Sequence, residues 1–295
     1  MSPPRPANRG ARAAALASAI LLLAALAAPA LAQRSGSAPA PGPAPTLGPD
    51  QAQIYEQCMA LARANPHAAF SQAVQWRTRG GGLPAEHCEG LALLNLRQFE
   101  EAAKRFHDVA EGSTAASVEL RVQAYDNAAQ AWMLANQPKN AKAEFDAALK
   151  LDPKNVDLLI GRGQASGLAG DYWAALDDLN VALDIDPKRA DALVLRAASY
   201  RRVKAEDLAM DDVNRAIALD PEFPDAYVER GILMAIKGDY EGAKRDWKKV
   251  IEMAPDTFLA EQAKRNLQEL EKLKNQPPAA PAAPSTPKKP PTKSK

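Results

Sequence analysis

From residue 122 onward the apolar positions of this chain return at a fixed interval. The phrase Ala-Leu-Lys-Leu-Asp-Pro ends at Pro153, and close copies end at Pro187, Pro221 and Pro255, each 34 residues after the last. Twelve residues before each proline stands an alanine: Ala141, Ala175, Ala209 and Ala243. Eight before stands a large apolar residue: Phe145, Leu179, Val213 and Trp247. Five before stands a small or β-branched one: Ala148, Ala182, Ala216 and Val250. Steps of four and three put these side chains on one helix face. A second apolar series precedes each, carrying Tyr125 and Trp132, Leu159 and Gly163, Leu193 and Tyr200, and Tyr227 and Gly231. Between the two series, Gly170-Asp171-Tyr172 and Gly238-Asp239-Tyr240 read as helix stop, turn and restart. The proline then stops the second helix, because its ring cannot continue the backbone hydrogen bonding. One helical hairpin cannot bury its apolar faces alone, whereas stacked copies share a continuous core. The pattern therefore predicts an all-α fold, an α-solenoid of hairpins at 122–155, 156–189, 190–223 and 224–257.

The pattern changes towards both ends. Leu259, Ala263, Leu267 and Leu270 line one face of a further helix within 258–275, which is expected to cap the last hairpin. Residues 83–114 keep the motif weakly, with Gly90 and Leu93 on a first helix and Phe99, Ala102, Phe106 and Val109 on a second. Residues 51–78 read as two more helices broken at Asn65-Pro66, and Gly80, Gly81 and Gly82 as a linker. Region 51–117 is thus expected to hold two divergent units, with a looser joint near 112–117 before the clear repeats of 118–257.

The 34-residue hairpin with these glycine or alanine, large apolar and proline places resembles the tetratricopeptide repeat. It departs from that family at Leu159, where Trp is frequent, and at Ser166, where an aromatic is frequent. The resemblance implies a concave groove lined by the first helices, at the second, fifth, ninth and twelfth places of each unit. Those residues are Gln123, Asp126, Gln130 and Met133, then Asp157, Ile160, Gln164 and Gly167. Asp191, Val194, Ala198 and Arg201 follow, then Asp225, Val228, Ile232 and Ala235. The lysine and asparagine clamp by which some members hold a terminal carboxylate is replaced here by Asp126 and Gln130. An acidic edge and an apolar middle point to a protein or peptide partner with apolar anchors and some basic residues. Asp157, Asp191 and Asp225 also stand near helix starts, where carboxylates serve as caps.

Charges keep the same period. Arg162, Arg196 and Arg230 recur on the first helices, and Asp178, Asp212 and Asp246 on the second, with Glu144 at the equivalent place one unit earlier. Pairing at a spacing of 18 leaves no member over: Glu144 with Arg162, Asp178 with Arg196, Asp212 with Arg230 and Asp246 with Lys264. The expectation is an inter-repeat ladder that sets register more than raw stability, since desolvation offsets much of the attraction.

Residues outside the repeats bear on localisation. Arg5, Arg9 and Arg12 precede a short apolar run, residues 13–28, and Ala30-Leu31-Ala32 follows. This is the pattern of a secretory signal over 1–32, cleaved before Gln33; an uncleaved N-terminal anchor is the alternative. Residues 33–50 and 276–295 are rich in Pro, Ala and Ser, and are expected to be disordered. The chain totals 37 basic and 36 acidic residues. Arg5, Arg9, Arg12, Arg34, Lys288, Lys289, Lys293 and Lys295 lie outside the body against only Asp50, so the body is acidic. That argues against a nucleic-acid platform. In an exported chain the two cysteines, Cys58 and Cys88, are expected to form a disulfide; a metal site with His87, or a redox pair, are the competing readings. No phosphate loop, G-x-S-x-G or H-E-x-x-H motif occurs, and His67, His87 and His107 are dispersed. The expectation is a non-enzymatic, cofactor-free scaffold of the cell envelope, periplasmic, with no membrane span after cleavage. An envelope enzyme subunit acting through 51–117, or a self-assembling spacer, are the alternatives.

Overall fold

The computed structural model describes residues 49–112 and 118–274, and within them thirteen α-helices follow one another. The expected signal, most of the linker, the joint at 113–117 and the tail lie outside the described residues. Helices α1 (Pro49–Ala64), α2 (Pro66–Trp76), α3 (Gly82–Asn95) and α4 (Phe99–Gly112) form the two divergent hairpins. The clear repeats are α5 (Val118–Leu134) with α6 (Pro138–Leu151), α7 (Val156–Leu168) with α8 (Tyr172–Ile185), α9 (Ala190–Arg202) with α10 (Glu206–Leu219), and α11 (Pro224–Lys237) with α12 (Tyr240–Met253). Helix α13 (Phe258–Lys274) packs on α12 and α11, in the place a first helix of the next unit would take. Each helix touches its neighbours in sequence, and first helices also touch first helices one unit on, as α7 with α9 and α9 with α11. First helices therefore line the inner face of the solenoid, and α8, α10 and α12 its outer face.

Local chemistry sets the boundaries. Asn65, Asn155, Asp171 and Asp239 cap their helices, each accepting a backbone N–H three residues on. The second helices stop two residues before each repeat proline, because the residue ahead of proline is pushed out of the α region. Asp152, Asp186, Asp220 and Ala254 accordingly sit at φ between −143° and −131°. Each hairpin turn from α3 onward needs one left-handed residue. Gly170 and Gly238 supply it without strain, whereas Arg97, Asn136 and Lys204 adopt it at φ 57–64°. The triple glycine is not a plain linker. Arg77–Gly81 winds as one wide turn joining α2 to α3, with Gly80 left-handed and Gly81 against the Trp76 indole.

The repeated places form the core. Every alanine, valine and large apolar residue of the three proline-referenced series is wholly buried. Glycines on first helices face the large ones: an added Cβ would lie 2.4 Å from Phe145 at Gly161, 3.0 Å from Leu179 at Gly163 and 2.4 Å from Trp247 at Gly231. Cys58 on α1 and Cys88 on α3 are joined by a disulfide, which staples the divergent end across neighbouring first helices. Replacing Gly231 with Ala forces the added methyl into the buried Trp247 ring, so urea unfolding is expected to show a loss of ~1–3 kcal/mol. Gly167→Ala meets nothing nearer than 3.8 Å, and is expected to be neutral or to gain up to ~1 kcal/mol from helix propensity.

Candidate functional site

The inner face is built from α1, α3, α5, α7, α9, α11 and α13, and its chemistry differs from the sequence expectation in one main respect. Met133, Ile160, Val194, Val228 and Ile232 are buried, as is Ala235. They close the seams between neighbouring first helices and present no apolar strip to a ligand. Arg201 is buried too. Its guanidinium grips Glu229 of the next first helix at 2.5 and 3.2 Å, so it is a tie between units and not a groove cation. What stays open on this face is polar: Gln130 and Asp157 are exposed, and Gln123, Asp126, Gln164 and Asp225 are half-covered.

The carboxylates form an edge. Burial pushes the Asp126 carboxyl up to about 6, and the nearby Asp157 charge adds to the rise against a hydrogen bond from Gln130. Arg189 donates to Asp191 at 2.9 and 3.1 Å and to Asp157 at 2.6 Å, and the Asp191 bond in particular holds its guanidinium above the ordinary arginine range. Asp157, Asp191 and Asp225 are not N-caps. The caps there are Asn155, Arg189 and Phe223, and the aspartates sit in the first turn, where the helix dipole favours negative charge.

Further towards the N-terminus, the inner face carries a polar line across three units. His87 on α3 bonds Tyr55 of α1 through Nδ1 at 2.8 Å and Asn127 of α5 through Nε2 at 3.3 Å. Burial lowers the His87 pKa to about 4 and raises that of Tyr55 to about 12. Both ring nitrogens are occupied in holding helices together, and the two thiols are taken up by the disulfide.

The ion-pair ladder exists, but with other partners than the 18-residue spacing suggests. Arg162 grips Asp178 of its own hairpin at 2.9 and 2.6 Å, Arg196 grips Asp212 at 2.7 and 2.8 Å, and Arg230 grips Asp246 at 2.7 and 2.9 Å. Arginine and aspartate stand eight residues either side of the left-handed turn residue, at Gly170, Lys204 and Gly238, so the antiparallel hairpin brings them level. The remaining nitrogen of each arginine reaches back to the preceding unit, to Asp146, Asn180 and Asn214 at 2.8, 2.9 and 3.3 Å. These three also repeat every 34 residues, a signal the sequence reading missed. Glu144, whose own hairpin has Ala128 opposite, takes His107 of α4 at 3.0 Å, and Lys264 pairs with Glu261 on its own helix. In the divergent unit the same places are filled with the signs exchanged: Glu89 on the first helix faces Arg105 on the second at 3.0 Å, and Arg77 bonds it from the preceding turn at 3.0 Å.

Comparison with known proteins bears on this architecture directly. Residues 122–155 match the tetratricopeptide repeat. Residues 122–155 are a tetratricopeptide repeat, and the chain as a whole has the stacked-hairpin fold of such proteins. Among solved structures, a tetratricopeptide repeat protein from Parabacteroides merdae superposes with a TM-score of 0.60 at 16% identity, over 77% of this chain and 94% of that one. A thermophilic tetratricopeptide repeat protein of Thermus thermophilus gives 0.52 at 17% identity, over 64% and 100%. These likenesses are of fold. No curated protein matches the sequence. On that frame, the arginine clamp and the His87 line are the polar fastenings between helices.

Removing a clamp arginine leaves a carboxylate buried without its partner. Arg196→Ala is therefore expected to cost ~3 kcal/mol in denaturant unfolding, and Asp212→Ala in the same chain to recover part of that loss. His87 stays neutral in the folded protein down to about pH 4, while the unfolded chain takes up its proton below 6.5. Stability is thus expected to fall as pH drops from 6.5 towards 4, and His87→Asn to flatten that slope in melts across the interval.

Proposed function

We propose that this protein is a non-enzymatic scaffold of the cell envelope that takes a basic, extended segment of another protein along its inner face. The fold supports an interaction scaffold, since stacked first helices present one continuous concave surface. The observation that carries the choice of partner is the carboxylate edge of half-covered Asp126 and exposed Asp157, with Arg189 at its border. A segment bearing Lys or Arg answers that edge in charge, and the polar Gln123, Gln130 and Gln164 suit a hydrogen-bonding backbone. Affinity for large apolar anchors is not part of the reading, because the apolar residues of this face are buried. The envelope location rests on the signal pattern of residues 1–32 and on the disulfide, which belongs to an oxidising compartment.

A cross-linked pull-down from the envelope fraction tests the reading, run with wild type beside Asp126→Lys/Asp157→Lys. Loss of one captured protein in a variant with unchanged helix content is the expected outcome; unchanged capture sinks it. Because the Asp126 carboxyl ionises near pH 6, capture is also expected to strengthen as pH rises through 6, and Asp126→Asn to remove that step.

A further inference from the structure

Six of the seven large apolar side chains exposed among the described residues fall between Leu168 and Leu219. Trp173 is 68% exposed, while Trp76, Trp132 and Trp247, the chain's other tryptophans, are at most 9% exposed. Trp173, Val181 and Ile185 share the outward face of α8 with the exposed Asp177 and Asp184, and α8 has no basic residue. On α10, one unit on, Leu208 and Leu219 stand beside exposed Asp211 at nearly the same heights, with one cation, the exposed Arg215, between Asp211 and Leu219. This is an apolar strip threaded with carboxylates on the outer face, away from the acidic edge of the groove. Apolar side chains exposed side by side, unlike ones scattered singly, mark an interaction surface.

The chain itself carries the complement. Residues 284–295, PSTPKKPPTKSK, combine four prolines with four lysines and no acid. Proline rings in an extended PPII strand stack on exposed aromatic rings, and lysines answer carboxylates. We propose that the strip of α8 and α10 is the docking site of this Pro/Lys segment of the same molecule.

Reach permits it. Helix α13 stands in a first-helix place, so its end at Lys274 lies on the same edge of the solenoid as the hairpin turn just before Trp173. The path crosses three units and one helix layer, about 40 Å at helix spacings of ~10 Å. Fourteen residues link Lys274 to Lys288, and at ~3.1 Å each in PPII they span about 43 Å. The linker is then nearly taut, which lowers its effective concentration below the ~1 mM of a slack tether, so half coverage asks for a contact with a Kd well below ~1 mM.

Tryptophan emission tests this without any partner, because Trp173 is the accessible tryptophan and acrylamide quenches accessible rings. Trp173→Phe gives its share of the signal in the full chain. Exchanging Lys288, Lys289, Lys293 and Lys295 for Glu is expected to raise the quenching constant of Trp173 about twofold, as half coverage implies. Salt at ~1 M, which shortens the Debye length to ~3 Å, is expected to do the same to wild type and nothing to the variant. Asp177→Lys/Asp184→Lys is expected to expose Trp173 likewise, and combining it with the four glutamates to restore protection. Equal quenching in wild type and the tail variant overturns the proposal. So does protection that grows with protein concentration, which would give the strip to a second copy. None of these readings depends on a groove partner, so the result stands apart from the pull-down.

Discussion

Two helices approach closely only where a residue with no bulk faces one with a great deal of it. Gly161 under Phe145, Gly163 under Leu179 and Gly231 under Trp247 meet that condition, and the wholly buried alanines of each second helix complete it. Everything else follows from this close approach. It fixes the distance between the layers, brings first helices against first helices, and draws Ile160, Val194 and Val228 into the seams they share. The inner face is polar for that reason: its apolar residues are consumed in building it.

Charge then fixes register on a frame that apolar contact alone leaves free to slide. A guanidinium that meets a buried carboxylate with two nitrogens and a neighbouring unit with the third holds three helices at one height. Such a clamp adds little net stability after desolvation, but any slip leaves Asp212 or Asp246 buried without a partner, which is costly. At the boundary between divergent and clear units the clamp is missing, since Ala128 has no charge to offer. His107 stands in for it. Burial alone would lower its pKa, but the hydrogen bond with Glu144 and the charges of Glu144, Glu111 and Asp108 outweigh this and raise it. Tyr125 bonds Glu111 across the same boundary.

Much of the fold is legible in the sequence, and the site much less so. Period, hairpin boundaries, the buried places and the cap are written in residues whose role is set by one neighbour or one turn, so spacing suffices to find them. The disulfide followed from the count of two cysteines in a chain read as exported. The groove residues did not follow, because a place such as that of Val194 faces inward in the lone hairpin yet is covered once the next unit stacks. The clamp partners failed for a different reason. A linear spacing of 18 balanced the charges, but the hairpin is a mirror about its turn, and counting eight residues out from Gly170 or Gly238 in both directions would have found them. The exchanged pair Glu89 and Arg105 obeys the same count about Arg97.

That exchange of sign has a consequence for how such a gene can grow. Beyond Ala128 the clamps are interchangeable, so duplicating or losing a whole 34-residue block there returns an arginine to an aspartate every time. Joining the first helix of the Glu89 hairpin to a second helix of the clear repeats would instead set Glu89 against an aspartate, whereas a break between hairpins keeps each pair whole. Breaks between hairpins therefore leave every clamp satisfied, and breaks inside a hairpin do so only among units that share one order of sign.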